Sequence, residues 1–224
     1  MLLTIAGVVK GDELALVRSW LADAQFVDGR LSAGAAARRV KYNQELDSGT
    51  ADLERLNRVV MGNLVRHPAY RAGALPLHAA SPLYARYAPG MAYGDHLDDP
   101  IMGADGVKFR SDIAVTIFLS APHEYDGGEL VIGTQSGGQA VKLAAGDAVL
   151  YPAGSIHHVS PVTRGERLVA VTWVQSLVRD AGQRELLCGL NLAREKLLQS
   201  APEATETAQV NAAYLNLIRM WSDL

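Results

Sequence analysis

The sequence predicts a mainly β domain, of the sandwich or jelly-roll type, with flanking helices on both sides. Between residues 81 and 177, short runs suited to β-strands alternate with turn residues. Outside this region, apolar residues recur at the three- and four-residue spacing of an amphipathic helix. These patterns divide the chain into an N-terminal support region of strand and helices (1–80), a β core (81–177) and a C-terminal helical segment (178–224).

The N-terminal region is predicted to support the core from outside. Residues 2–9 are apolar and predict a strand, and residues 11–24 predict a helix with one apolar face. Residues 39–46 are predicted to be extended. A second helix is predicted over 51–66, and it ends before Pro68 because proline disfavours helical conformation in the residue that precedes it.

The core is predicted to contain a series of short strands. Glycine-containing turns separate several of them, at residues 126–128, 137–138 and 146–147. The predicted strands are 83–87, 92–98, 111–119, 128–132, 139–143, 148–152, 155–159 and 166–175. So many short strands in one stretch of chain are typical of a sandwich or jelly roll.

Two further helical patterns follow the core. Their apolar stripes consist of Leu186, Leu187, Leu190, Ala193, Leu197 and Leu198, and of Val210, Ala213, Tyr214, Leu217, Ile218 and Trp221. One interpretation is that these helices pack on the sheet or on each other. The other is a homodimer interface, since a large exposed apolar stripe is unusual on a monomer.

The composition narrows the class of protein. The net charge is −3 and no basic stripe is present, so we expect no nucleic-acid partner. The apolar runs are too short to span a membrane, and the N-terminal segment lacks the basic flank and cleavage site of a signal peptide, so we expect no membrane association. Cys188 is the single cysteine, which excludes an intrachain disulfide and fits a reducing compartment; we expect a cytoplasmic protein.

A His-x-Asp motif on a predicted strand indicates a metal site. Successive strand residues point to opposite faces, so His96 and Asp98 share one face. A second imidazole must come from another strand, where His157 and His158 are adjacent and face opposite ways. Two imidazoles and a carboxylate are the ligand set of non-haem Fe(II) oxygenases, which leaves coordination positions open.

An arginine after these histidines could anchor an anionic cosubstrate. Arg167 is the second residue of the predicted strand 166–175 and shares a face with Trp173. A guanidinium on the inner face would need a paired anion, and the distal carboxylate of 2-oxoglutarate would supply one. Arg164 is the alternative anchor, although it lies in a predicted turn. Tyr87 and Thr116 could add hydroxyl groups to the same pocket.

Several motifs of the core resemble those of a known family. Residues 87–98 resemble the tyrosine-rich entry to the first metal ligands of prolyl-4-hydroxylase-like dioxygenases. Residues 124–130 resemble their Gly-Gly-Glu hairpin, and 146–157 the approach to the distal ligand. The segments 157–165 and 173–176 are most similar to the bacterial PKHD-type hydroxylases, which are associated with iron uptake.

This resemblance implies a double-stranded β-helix, with Fe(II), 2-oxoglutarate and O₂ as cofactor and cosubstrates and ascorbate as a reductant. It implies His96, Asp98 and His157 as the metal ligands and Arg167 as the 2-oxoglutarate anchor. It does not identify the substrate. A zinc hydrolase or a non-catalytic iron-sensing module could use the same three ligands. Residues 99–109 follow the first ligands and form either a substrate lid or an ordinary surface loop.

Overall fold

The computed structural model describes residues 1–47, 49, 53–103 and 106–224. The described helices are α1 (Gly11–Ala22), α2 (Leu53–Arg66), α3 (Pro68–Ala74), α4 (Ala181–Ser200) and α5 (Thr205–Trp221). The predicted start of the second helix at Ala51 lies outside the described residues. In these ranges, no helix is both long and apolar enough to cross a bilayer.

Two antiparallel sheets form the body of the protein. The described strands are β1 (Leu3–Ile5), β2 (Phe26–Asp28), β3 (Lys41–Tyr42), β4 (Gln44–Leu46), β5 (Pro76–Ala79), β6 (Leu83–Tyr87), β7 (Ala92–His96), β8 (Ile101–Met102), β9 (Phe109–Arg110), β10 (Ile113–Phe118), β11 (Tyr125–Gly127), β12 (Leu130–Thr134), β13 (Gly137–Val141), β14 (Ala148–Pro152), β15 (His157–Val159), β16 (Val162–Gly165) and β17 (Arg167–Ser176). The major sheet has the order β1-β14-β10-β17-β6-β4-β2, with β5 also on β17, and the minor sheet has the order β13-β12-β15-β7-β3. The predicted jelly roll with flanking helices is confirmed.

Residue alternation on the central strand β10 separates two cores. Ile113, Val115 and Ile117 belong to the cluster that includes buried residues of α1 and α2. Ala114 and Phe118 belong to a second cluster, shared with the minor sheet. Because successive strand residues point to opposite faces, the helices cover one face of the major sheet and the minor sheet faces the other. The space between the two sheets holds the site described below.

The C-terminal helices pack against each other and form a third cluster. Leu187 on α4 and Tyr214 on α5 are buried there beside Val178. Part of each predicted apolar stripe is therefore covered within the chain. Leu186 and Met220 remain 66% and 73% exposed, and a homodimer through these helices stays a prediction.

Several predicted segments differ from the structure in their bounds. The predicted strand 92–98 ends at His96, so Asp98 lies just beyond β7. The predicted strand 2–9 is limited to β1, and the predicted extended segment 39–46 forms two strands, because the chain passes from the minor to the major sheet at Asn43. The predicted strand 128–132 begins only at Leu130. Gly127 and Gly128 adopt positive φ angles of 70° and 66°, which extended strand backbone does not accommodate.

Helix α3 was not predicted. Pro68 does end α2, but it also occupies the first turn of α3, where its missing N–H needs no partner. The His67 imidazole accepts a hydrogen bond from the backbone N–H of Ala69 at 3.2 Å. One proline therefore separates two consecutive helices.

Candidate metal centre and adjoining cavity

Neighbouring strands of the minor sheet place the three predicted metal ligands together. His96 on β7 lies directly opposite His157 on β15 in the antiparallel register. Asp98 follows two residues after His96. One ligand atom from each of the three residues lies within 4.8 Å of the others. Strand pairing thus joins two parts of the chain that are about sixty residues apart in sequence.

Backbone hydrogen bonds orient both imidazoles. Nδ1 of His96 lies 2.8 Å from the carbonyl oxygen of Gly94, and Nδ1 of His157 lies 2.9 Å from that of Ser155. A carbonyl can only accept, so Nδ1 of each ring carries the proton. Each Nε2 therefore keeps its lone pair, the form that binds a metal. Nε2 of His157 lies 4.0 Å from Oδ1 of Asp98.

Aromatic rings hold the two imidazoles from the side. The Tyr93 ring stacks on His96 with 3.6 Å between centroids and 10° between planes. The Tyr151 ring meets His157 edge-on at 5.0 Å. Rotation of either imidazole would displace a buried or half-buried aromatic ring.

Burial sets the protonation of this cluster. It lowers the pKa of His96 to about 4, and the nearby His157 adds to the shift. Burial also raises the pKa of the Asp98 carboxyl, against the opposing effects of His157 and the Trp173 indole. Oδ2 of Asp98 and Nε1 of Trp173 are close, but neither has a hydrogen-bond partner of standard geometry. A buried carboxylate oxygen without a partner beside two neutral imidazoles suits a divalent cation such as Fe(II).

Acidification should destabilise the metal-free protein through His96. The unfolded chain protonates this imidazole near pH 6.5, whereas the folded protein keeps it neutral down to about pH 4. The unfolded state therefore binds more protons in this window, and the free energy of unfolding falls as the pH decreases. At pH 5 the loss is about 2 kcal/mol. Urea denaturation in the presence of a chelator, at pH 7 and at pH 5, measures this change. Between the two pH values, the free energy of unfolding should fall less in His96→Gln than in the native protein. Equal decreases in both proteins would contradict the lowered pKa of His96.

The alternative candidates His158 and Arg164 lie outside the site. Nδ1 of His158 lies 2.7 Å from Oδ1 of Asp95, on the outer face of the minor sheet. The exposed Arg164 guanidinium donates to the carboxylate of Asp126 at 2.6 Å. Both side chains therefore have surface partners.

A cavity of about 370 Å³ extends from the three ligands to Arg167. Arg167 is 1% exposed and has no ion-pair partner among the described residues, and its Nε has no hydrogen-bond partner. Its guanidinium carbon lies 4.9 Å from the Tyr87 ring centroid and 5.6 Å from that of Phe118. A buried guanidinium without a carboxylate is costly, and an anion in the cavity would remove that cost.

The other predicted cosubstrate residues also line this cavity. Tyr87 pairs with Arg167 across β6 and β17, and Thr116 on β10 is 2% exposed. Trp173 lies on the same face of β17 as Arg167, near Asp98. The seven predicted site residues therefore surround one space.

Sequence reasoning missed several polar side chains of the same region. The hydroxyl of Tyr125 is buried and has no hydrogen-bond partner of standard geometry among the described residues. Burial raises its pKa, and the Arg167 guanidinium opposes that shift. A Cβ placed on Gly128 would lie 3.1 Å from both Tyr125 and Arg167, so this glycine lets them approach. The resemblance of residues 124–130 to the hairpin of a known family was the available signal. Lys41 and Glu45 also line the cavity. No motif or spacing in the sequence indicates that they do.

Residues 99–109 border the mouth of the cavity. Strands β8 and β9 pair with each other there, and Asp99, Ile101 and Gly103 line the cavity. Residues 104 and 105 of this segment lie outside the described residues. The segment is in the right place for a substrate lid, and its movement stays a prediction.

Comparisons with known proteins agree with this geometry. The sequence model of the 2OG-Fe(II) oxygenase superfamily matches residues 82–175. The chain is 49% identical to a PKHD-type hydroxylase of Thioalkalivibrio sulfidiphilus (strain HL-EbGR7) and 42% identical to one of Stenotrophomonas maltophilia (strain K279a), each over the full length of both chains.

Two solved structures share the fold at low sequence identity. A Trichoplax adhaerens prolyl hydroxylase, in complex with a hypoxia inducible factor peptide fragment, has a TM-score of 0.56 at 16% identity and covers 83% of this chain and 86% of its own. HygX of Streptomyces hygroscopicus, with nickel and 2-oxoglutarate bound, has a TM-score of 0.52 at 16% identity, with coverages of 79% and 84%.

Proposed function

Because this chain belongs to the PKHD-type hydroxylases and is an Fe(II)- and 2-oxoglutarate-dependent dioxygenase, we propose that it hydroxylates a C–H bond of its substrate and releases succinate and CO₂. One observation carries the proposal. The cavity joins the three clustered ligands at one side to a buried guanidinium that lacks a carboxylate partner among the described residues.

His96, Asp98 and His157 would hold the ferrous ion. Among the described residues, each imidazole is hydrogen-bonded through Nδ1 rather than Nε2, and Oδ2 of Asp98 has no partner of standard geometry. Metal binding would therefore break no hydrogen bond of the imidazoles. When bound, the ion supplies coordination of the 2-oxoglutarate keto acid and reduction of O₂. The backbone carbonyls that fix each Nδ1 keep the imidazoles in the ligating tautomer.

Arg167 would pair with the far carboxylate of 2-oxoglutarate. The planar guanidinium can donate two parallel hydrogen bonds to one carboxylate. The hydroxyls of Tyr87 and Tyr125 belong to side chains beside Arg167 and would donate to the same group, and Thr116 would add a hydroxyl to the cavity lining. The Trp173 indole would face the ligand Asp98. The binding of 2-oxoglutarate by the structural neighbour HygX supports this arrangement.

The two sheets would also exclude water during turnover. Phe118, Val169 and Tyr151 are buried around the inner end of the cavity, so solvent enters from the mouth. A bound substrate would close that mouth, and charges inside would then interact more strongly. Ascorbate as a reductant of the iron stays a prediction.

Two measurements test this function together. Anaerobic Fe(II) and 2-oxoglutarate should produce a weak metal-to-ligand charge-transfer band in the visible spectrum, and admission of O₂ should then produce succinate and CO₂ in equal amounts. A zinc hydrolase would show neither signal. An iron-sensing module would bind Fe(II) but release no succinate, and that result would overturn the proposal.

A further inference from the structure

The cavity wall contains a buried ion pair that neither the metal nor 2-oxoglutarate explains. Nζ of Lys41 lies 2.5 Å from Oε1 of Glu45, and both residues are 7% exposed and line the cavity. Arg167 already offers the 2-oxoglutarate carboxylate its cation. The pair is therefore available to the substrate.

The pair connects the edge strand of the minor sheet to the second-last strand of the major sheet. Lys41 lies on β3 beside Tyr93 of the minor sheet, and Glu45 lies on β4 beside Ala85 of the major sheet. A purely structural brace needs no charge here, because a buried ion pair can often be replaced by apolar residues without loss of stability. Its position in the cavity wall, rather than its contribution to stability, therefore calls for an explanation.

Each partner keeps hydrogen-bonding capacity. The Lys41 ammonium has three N–H donors, of which Glu45 and Ser32 take two, with 2.9 Å to Oγ of Ser32. The second carboxylate oxygen, Oε2 of Glu45, accepts no hydrogen bond from a described residue. One free donor and one free acceptor therefore lie side by side in the wall.

We propose that Lys41 and Glu45 form a substrate subsite that recognises an amide group. The ammonium would donate to the amide carbonyl, and the carboxylate would accept from the amide N–H. A lone carboxylate on the substrate would be repelled by Glu45, and a lone ammonium by Lys41. Both hydrogen bonds have one charged partner, which makes them the strong kind.

The surroundings of the pair leave room for such a group. Small residues also line the cavity, namely Ser32, Ala33, Gly34 and Ala37, and Ser32 contacts Lys41 directly. The Tyr93 ring lies 5.3 Å from Nζ of Lys41 and also stacks on His96. An amide held by the pair would therefore place its attached carbons near the metal ligands.

The test uses the full chain with Fe(II), 2-oxoglutarate and O₂, and it rests on the proposed function. The probes are a panel of N-methylamides and the methyl esters of the same carboxylic acids, because an ester keeps the carbonyl and lacks the N–H. With the native protein, at least one amide should accelerate succinate formation about tenfold or more over its ester.

The Glu45→Gln variant should lose this preference. In this variant, the carboxamide oxygen would remain the hydrogen-bond partner of Lys41. The carboxamide NH₂ would then take the place of Oε2, so a donor would face the N–H of the substrate where an acceptor stood before. Asp126→Asn makes the same change in the exposed Arg164 ion pair, 2.6 Å long, and should keep the preference. The visible band with Fe(II) and 2-oxoglutarate should be unchanged in both variants, which reports an intact metal and cosubstrate site.

Longer peptides that contain the active amide then distinguish a polypeptide substrate from a small-molecule substrate, by whether they accelerate succinate formation further.

The outcomes separate the two proposals. Equal acceleration by amides and esters, no acceleration by any amide above basal succinate formation, or an amide preference that survives in Glu45→Gln overturns the subsite and leaves the proposed function standing. If the native protein shows neither the visible band nor succinate, the proposed function itself is wrong.

Discussion

His157→Ala should abolish Fe(II)-dependent succinate formation, whereas His158→Ala should retain most of it. The two residues are neighbours on β15, but only His157 faces the cluster with His96 and Asp98. Loss of residues that merely support metal ligands typically reduces affinity or activity by about 10–100-fold, so loss of a ligand should exceed that range. His158 instead contacts Asp95 at the surface.

Metal affinity gives a second measurement for this pair of variants. Titration with Co(II) as a spectroscopic probe should show weak or absent binding in His157→Ala and native binding in His158→Ala. Far-UV circular dichroism of both variants checks that the fold is retained, since His157 is buried against Tyr151. If His158→Ala lost the metal and His157→Ala kept it, the assignment of the ligands would be reversed.

Arg167→Met should weaken the binding of 2-oxoglutarate far more than that of Fe(II). A hydrogen bond to a charged group contributes about 1.5–3 kcal/mol, so its loss corresponds to about tenfold to more than a hundredfold in affinity. Methionine fills a similar volume between Tyr87 and Phe118. Since the guanidinium has no ion-pair partner among the described residues, the variant without cosubstrate should be at least as stable as the native protein.

The matched control for Arg167 is Arg164→Met. Arg164 is exposed and pairs with Asp126, and exposed ion pairs contribute little to stability. Titration of the visible band with 2-oxoglutarate at saturating Fe(II) measures both variants. Native 2-oxoglutarate affinity in Arg167→Met would move the anchor to another residue.

Local patterns of the chain predicted much of the β core. The strands 83–87 and 148–152 have the predicted bounds, because each lies between clear turn signals and has strand-forming residues throughout. The alternation of strand residues was sufficient to place Arg167 and Trp173 on one face of β17, because the backbone geometry of a single strand determines that relation. It also predicted that His96 and Asp98 share one face. The structure does bring both to the metal cluster, but β7 ends at His96 and Asp98 lies two residues beyond it.

The choice between His157 and His158 required more than one strand. The residues alone left it open, and only the resemblance favoured His157. In the structure, the pairing of β15 with β7 places His157 opposite His96. A shift of one residue in that register would turn His158 inward instead. The register depends on both strands and on the packing between the sheets.

The sequence by itself determined the jelly-roll class, the His-x-Asp pair and the strand that carries the arginine, because each follows from the spacing of neighbouring residues. Only the tertiary structure decided that Tyr125 approaches Arg167 and that Lys41 on the minor sheet meets Glu45 on the major sheet. Those contacts form when the chain crosses from one sheet to the other at Asn43 and at the turn containing Gly127 and Gly128. The path of the chain between elements, rather than the propensity of any element, brings these side chains together.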